Sequence, residues 1–385
     1  MNKLTKKQKM MLGSSLALIL VILIAILAIT GFGKKHKPDG TNETTATEET
    51  TPVETTEETT TEPETTTEPE TTTSPEEDLT GKALSPLTGL YVDESIADNR
   101  PVAVMINNIK AAIPQSGISY ADVIYEAPVE GGITRLMAIF QNYADLTRIG
   151  SVRSSRLYYA HIATDYDAIY AHYGQSKYAL SFLNSSSIDN LSGTEGVGST
   201  VYFRVSDRKA PHNAYASGNG ILAGIKQKGY TSTISDSYLS PLQFLAYDEI
   251  ANLSGNSAVK VSPGYVNNKP WFEYNAETNT YLRYQFGGSH KDQTTGEQLE
   301  VTNIIIQFAS ASYQDDEYTW DFKMTGNGTG YYITGGKYVP ITWIRSSLSA
   351  TTTFYTEDGK ELEMTPGKTW VCVVQNGNKK NVSIQ

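Results

Sequence analysis

The sequence predicts an α+β fold. An N-terminal α/β layered domain over residues 85–239 is followed by a β-rich antiparallel C-terminal domain over residues 240–385, and both stand behind one transmembrane helix and a disordered stalk. Three observations carry this expectation. In the first folded part, short apolar runs alternate with helix-type segments, the pattern of layered α/β structure. In the second, Tyr- and Thr-rich runs come in pairs around turn residues, the pattern of successive hairpins. Ahead of both lie an apolar run of membrane length and a Thr/Glu/Pro tract.

Residues 10–32 carry no charge and no proline. At 1.5 Å per residue they span about 34 Å, enough for a hydrocarbon core of about 30 Å. The run is longer than the apolar region of a cleaved signal peptide and lacks a small-x-small site at its end, so it reads as a signal anchor. Lysines flank it on both sides, which leaves orientation nearly undecided by charge. The stalk settles it, because a Thr-rich tract is typical of an exported segment. Residues 1–9 are then cytoplasmic, and everything after the span is extracellular.

The stalk, residues 33–84, is dominated by Thr, Glu and Pro, with near-repeats of the type EPETTT. Such a tract lacks the apolar content to offset the entropy of ordering its backbone. Residues 38–81 hold 14 acidic groups and no base, and residues 1–37 hold seven lysines and no acid; of the net −11, this leaves −4 for residues 82–385. The acidity therefore belongs to the stalk. Its Thr/Glu/Pro core, the roughly 42 residues 38–79, reaches about 35 Å as a flexible coil, with an extended limit near 130 Å, the scale of a spacer within a cell wall. A slightly acidic exported part is a poor fit to nucleic acid.

Within residues 85–239, segments 101–106, 122–126, 133–141 and 168–173 read as strands. Ser154 or Ser155 is placed to cap a helix through about residue 163, with further helices at 176–183 and 218–228. Within residues 240–385, segments 271–274 and 281–284, 331–333 and 337–344, and 351–356 and 361–364 pair as hairpins, the last around Asp358-Gly359. The Gly-rich run 326–330 reads as a turn. Cys372, the single cysteine, lies in an apolar β-type run and reads as core. An exported chain without a disulfide fits a Gram-positive surface. Five histidines without paired ligand spacing make a metal site unexpected, and no cofactor is expected.

Several stretches are similar to the YerB family: NRPVAVMINN (99–108), PQSG (114–117), ADVIYE (121–126), EGGITR (130–135), GSVRSSR (150–156), RKAPHN (208–213) and PGKTW (366–370). The resemblance covers about residues 85–375. It implies a bacterial lipoprotein or membrane-anchored protein whose domain is named for its unknown function, and it supplies no catalytic residues. This chain has no Cys after its apolar run to take a lipid, so a transmembrane helix would replace the lipid anchor.

The polar residues divide into two groups. Arg135, Arg153, Arg156 and Arg208, with Ser154, His212 and Asn213, offer cations and donors to a phosphate or carboxylate of a wall polymer. If Arg153 and Arg156 are both helical they share a face. The alternative is that these arginines tie loops together through Asp122, Glu126, Glu130 or Asp207. The second group is Glu126, Glu130, His172 and His212, which would supply acid and base to a hydrolase or transferase. No G-x-S-x-G, H-E-x-x-H or Walker motif stands in the chain. Trp271, Trp320, Trp343 and Trp370 offer faces to sugar rings, though aromatics in a β-rich domain more often form core. The leading expectation is a non-enzymatic envelope-ligand binding module. The alternatives are an envelope hydrolase or transferase and a scaffold for a membrane or envelope protein.

Overall fold

The computed structural model describes residues 78–385. The span expected at 10–32 and the stalk before residue 78 lie outside the described residues. Among the described residues no helix is long and apolar enough to cross a membrane.

The framework is an eleven-stranded sheet. Its strands in chain order are β1 (Val102–Asn108), β2 (Val123–Pro128), β3 (Thr134–Phe140), β4 (Ile169–His172), β5 (Asn190–Ser192), β6 (Asn256–Ser257), β7 (Asn303–Ala309), β8 (Gly326–Thr334), β9 (Lys337–Arg345), β10 (Thr353–Thr356) and β11 (Thr369–Gln375). Across the sheet they run β6-β9-β8-β7-β11-β2-β3-β1-β4-β5, with β10 added to β9. Every residue of β1, β3 and β7 is buried, the signature of strands covered on both faces.

Side chains alternate between two cores, as strand geometry requires. Val102, Val104 and Ile106 of β1 face one side with Ile304, Ile306, Trp370 and Cys372. Ala103 and Met105 face the other with Tyr125, Met137, Ile305 and Val371. The first face is covered by helix α3 (Gly218–Lys228) and by a six-stranded sheet centred on the Trp271–Asn275 and Thr280–Gln285 strands. The second is covered by α1 (Leu157–Asp165) and α2 (Lys177–Leu183). Of these helices α3 shows the sequence code most plainly: the Ser217 hydroxyl accepts from the Gly220 N–H at its start, and Gly229 ends it at φ 71°.

Four expectations change. The boundary at residues 239/240 does not divide the sheet, because β11 from the C-terminal part pairs with β2 from the N-terminal part over Thr369–Cys372. That pairing, and the one between β7 and β11, is parallel, so the C-terminal part is not antiparallel throughout. Neither Ser154 nor Ser155 caps α1; Arg156 holds that position without a side-chain cap bond, and Arg153 lies outside the helix. Residues 326–330 are not a turn but the first half of β8. A Cβ on Gly328 would come within 2.5–2.7 Å of the Trp343 indole and the Phe308 carbonyl, and one on Gly330 within 2.5 Å of the Ile306 carbonyl, so glycine here admits close strand packing.

One sheet shared by both parts should unfold as a unit. Residues 78–385 are expected to lose far-ultraviolet dichroism and tryptophan fluorescence at the same denaturant concentration. A fragment of residues 85–239 alone, which leaves the β2 edge unpaired, is expected not to fold; two separate transitions in the intact unit would contradict this.

Candidate functional site

Strand directions locate the site. β7, β11 and β2 are mutually parallel, β3 is antiparallel to both β2 and β1, and β1, β4 and β5 are mutually parallel. All six of those parallel-running strands therefore point the same way, and their carboxyl ends line one edge of the sheet. Crevices beyond such ends are where α/β folds bind ligands. The amino end of β3, with Arg135, lies at the same edge.

At this edge β1 changes neighbour. It pairs with β4 only through Val104, and beyond that the segment after Gly150 takes over. The Asn107 N–H donates to the Ser151 carbonyl at 2.9 Å, and the Arg153 N–H to the Met105 carbonyl at 2.9 Å. From there the Tyr173 N–H donates to the Arg153 carbonyl at 3.0 Å and the Ser155 N–H to the Gly174 carbonyl at 2.9 Å. Residues 151–155 are thus stitched across the ends of β1 and β4, which fixes where Arg153 and Arg156 project.

The arginines form one group. Arg156 is bidentate to Glu130, with Nε–Oε1 and Nη2–Oε2 both 2.5 Å. Arg135 Nη1 donates to the Ser154 carbonyl at 2.5 Å. Arg153 Nη1 reaches only the Pro211 carbonyl at 3.3 Å, and Arg153 makes no ion pair among the described residues. Burial and then the neighbouring Arg156 push Arg135 down to about 10. Burial followed by Arg156 also lowers Arg153. Burial raises the Glu130 carboxyl, but the Arg156 contacts outweigh it and hold the group below the usual carboxylate range. The cations thus repel one another, and an added anion would relieve that. Arg153 Nε, Ser151 Oγ and Ser176 Oγ are enclosed donors with no partner among the described residues.

His212 borders the group. Its Nδ1 lies 2.8 Å from Asn107 Nδ2, which makes Nδ1 the acceptor. Burial, then Arg153 and Arg208, depresses its protonation. Arg208 lies further out, donating to the Pro114 carbonyl and Gln293. Asn213 stands apart: it accepts from Arg204 at 2.7 Å and donates to the Val205 carbonyl, tying its own loop. Ser176 and Asn107 lie beside the group and were not singled out from sequence; only their placement beside strand ends marks them.

The carboxylate–histidine group does not assemble. Glu126 is fully buried and faces the six-stranded sheet, where its Oε2 meets Arg283 Nη2 at 2.5 Å. Its Oε1 accepts from Asn108, Thr134 and Asn268 at 3.2, 2.8 and 2.8 Å. An enclosed carboxylate with these partners has no path to a substrate. His172 is likewise buried, with Nδ1 2.8 Å from the Gly174 carbonyl and Nε2 3.3 Å from Asn190 Oδ1. Glu130, committed to Arg156, is the one acid of the set at the strand edge. Of the tryptophans, Trp343 and Trp370 are core, while Trp271 and Trp320 are half-buried.

Two outcomes follow. Glu126→Ala, which leaves Arg283 buried without its partner, should cost about 3–5 kcal/mol in denaturant unfolding; a loss under about 1 kcal/mol would contradict the geometry. Burial depresses His172 below its ordinary value near 6.5. Its neutral form therefore contributes stability that is full above about pH 6.5 and is lost as pH falls through the folded value. Wild type should lose stability relative to His172→Gln on acidification in this range, and a constant difference between the two would contradict the assignment.

Comparison with known proteins agrees with this architecture. Residues 87–231 match the family described as "Protein of unknown function (DUF3048) N-terminal domain", and residues 259–371 match its C-terminal domain. The chain is 34% identical over 307 residues to "Putative lipoprotein YerB" of Bacillus subtilis (strain 168), covering 80% of this chain and 90% of that protein. It also matches the crystal structure of the YerB protein from Bacillus subtilis at a TM-score of 0.69 and 32% identity, covering 79% of this chain and all of that one. With both halves of the family pattern present in order on one shared sheet, the chain belongs to the YerB-like DUF3048 family.

Proposed function

We propose that this protein is a membrane-tethered, extracytoplasmic binding module, and that the arginine group at the strand ends takes an anionic group of a cell-envelope polymer. The observation that carries the reading is Arg153: a guanidinium at the carboxyl edge of parallel strands, without an ion pair among the described residues, beside Arg135, Arg156 and enclosed hydroxyl donors. Four guanidiniums, including Arg208, stand against the single paired carboxylate of Glu130. A phosphate or carboxylate suits that arrangement, since planar arginine forks bind both in bidentate fashion.

The location rests on the sequence and on kinship. Residues 10–32 are the anchor, with the N-terminus cytoplasmic and the folded unit outside. The Bacillus relative carries the name "Putative lipoprotein YerB", and a lipid attachment would serve the same tethering role as a membrane span. Binding is favoured over hydrolysis or group transfer because Glu126 and His172 are enclosed and Glu130 is held by Arg156. The polymer, rather than a docked envelope protein, is the partner that the cation group addresses directly.

Arg153→Glu is the discriminating variant. It removes no ion pair, whereas changing Arg156 would strand Glu130 and confuse binding with folding. In a pelleting assay with isolated cell-wall sacculi, Arg153→Glu should weaken association about tenfold or more with unchanged circular dichroism. Association of the wild type should also fall as salt is raised, through screening of the attraction between the cation group and the anionic polymer. Equal pelleting of variant and wild type would overturn the reading.

A further inference from the structure

The carboxyl edge carries a second feature. Beyond the ends of β11 and β2 lies a cleft of about 180 Å³ walled by Tyr265, Trp320 and Phe322, with the amides of Gln375, Asn378 and Asn381 at its rim. No residue lining it carries a charge, in contrast to the neighbouring arginine group. Trp320 is half-buried and held in place, its ring stacked on Tyr313 with centroids 4.1 Å apart and planes at 29°. The Asn378 amide is oriented by donating to Gln375 Oε1 at 3.2 Å. The Asn381 amide makes no hydrogen bond among the described residues and is exposed.

We infer that this cleft is a subsite for a neutral sugar ring of the same polymer whose anionic group is held at Arg153. The inference rests on the binding reading above and deepens it by naming the ligand class. A pyranose has one apolar C–H face and a rim of hydroxyls. The face complements the negative π-surface of an aromatic side chain, and the hydroxyls complement amides, which both donate and accept. An acidic sugar would meet no cation in the cleft, so the charge must lie elsewhere along the chain. The turn between β2 and β3 provides the continuity: Gly132 lines the cleft, while Glu130, two residues earlier, pairs with Arg156. Gly131 and Gly132 hold left-handed conformations in this turn, at φ 70° and 71°, which glycine adopts without strain. The cleft and the arginine group lie along one edge that runs from the end of β11 to the end of β1, three strand spacings or about 14 Å. An edge of that length suits an extended glycan bearing anionic groups at intervals.

The test uses the full chain in detergent micelles and two separate probes, the tetramer of N-acetylglucosamine and inorganic phosphate, followed by calorimetry. Wild type is expected to bind both. Trp320→Ala and Asn381→Ala should each weaken the tetramer about tenfold and leave phosphate unchanged, and Arg153→Glu should do the reverse. Asn381 is exposed, so its variant keeps the test valid if Trp320→Ala perturbs the 311–322 hairpin. Absence of tetramer binding, or tetramer binding by both cleft variants as tight as that of wild type, overturns the sugar subsite. Displacement of the tetramer by a Leu/Phe pentapeptide but not by N-acetylglucosamine also overturns it, in favour of an apolar peptide. Tetramer binding without phosphate binding would instead remove the arginine site and leave the cleft standing.

Discussion

The buried Glu126–Arg283 ion pair ties the large sheet to the sheet packed over it. The two residues are 157 positions apart, one on a central strand of the large sheet and the other on the sheet packed over it. Arg283 packs against the rings of both Phe272 and Trp370, with 4.6 Å from its guanidinium carbon to each ring centroid. Its Nη1 donates to the Tyr284 carbonyl and its Nη2 to Glu126. Burying two charges is costly, and an isosteric apolar pair would give comparable or greater stability. What the pair adds is registration. Asn108, Thr134 and Asn268 complete the carboxylate's bonds only when β1, β2, β3 and the loop before Trp271 are all in place.

That registration reaches the carboxyl edge of the sheet. Asn108 bonds Glu126, Gln115 donates to both the Asn107 carbonyl and Asn108 Oδ1, and Asn107 in turn contacts His212. His290 Nε2 is 2.7 Å from Gln115 Oε1, tying the second sheet into the same network. The strand ends that present Arg135 and Arg153 are therefore set by the interior rather than by the loops alone. A rigid first layer of this kind is what anion recognition by several guanidiniums needs, because each must be held against the repulsion of the others.

Local signals in the sequence were sufficient for most strands and helices. β1, β3, β4, α2 and α3 lie within a few residues of the segments that alternation and turn chemistry mark, and the Asp358-Gly359 turn forms with Gly359 at φ 80°, closed by a bridge between Tyr355 and Glu361, although Glu363–Met364 goes on to pair with Gln243–Phe244. Pairings between distant segments were not legible. Nothing in Trp370–Val374 says that β11 inserts between β7 and β2, because a continuous apolar strand is compatible with either direction of neighbour. The 326–330 run misled because glycine serves both turns and close strand contact, and only the positions of Trp343 and Ile306 decide between them. Glu126 was the most ambiguous residue. A buried structural carboxylate and a catalytic one are the same letter in sequence, and its distinguishing partner, Arg283, lies far away. The arginine group at residues 135–156 was legible because GSVRSSR is dense in cations and hydroxyls, though its geometry was not, since Arg153 and Arg156 do not share a helix face.

The central claim, that an anionic envelope polymer binds at the carboxyl edge of the sheet, is most directly tested by side-chain NMR of residues 78–385. Arginine Nε–Hε and tryptophan indole signals would be followed as soluble fragments from digested sacculi are added. The account predicts that Arg153 and Trp320 move together while Arg283 and Trp370, enclosed in the interior, stay fixed. Shifts confined to other arginines, or none at saturating fragment, would contradict it.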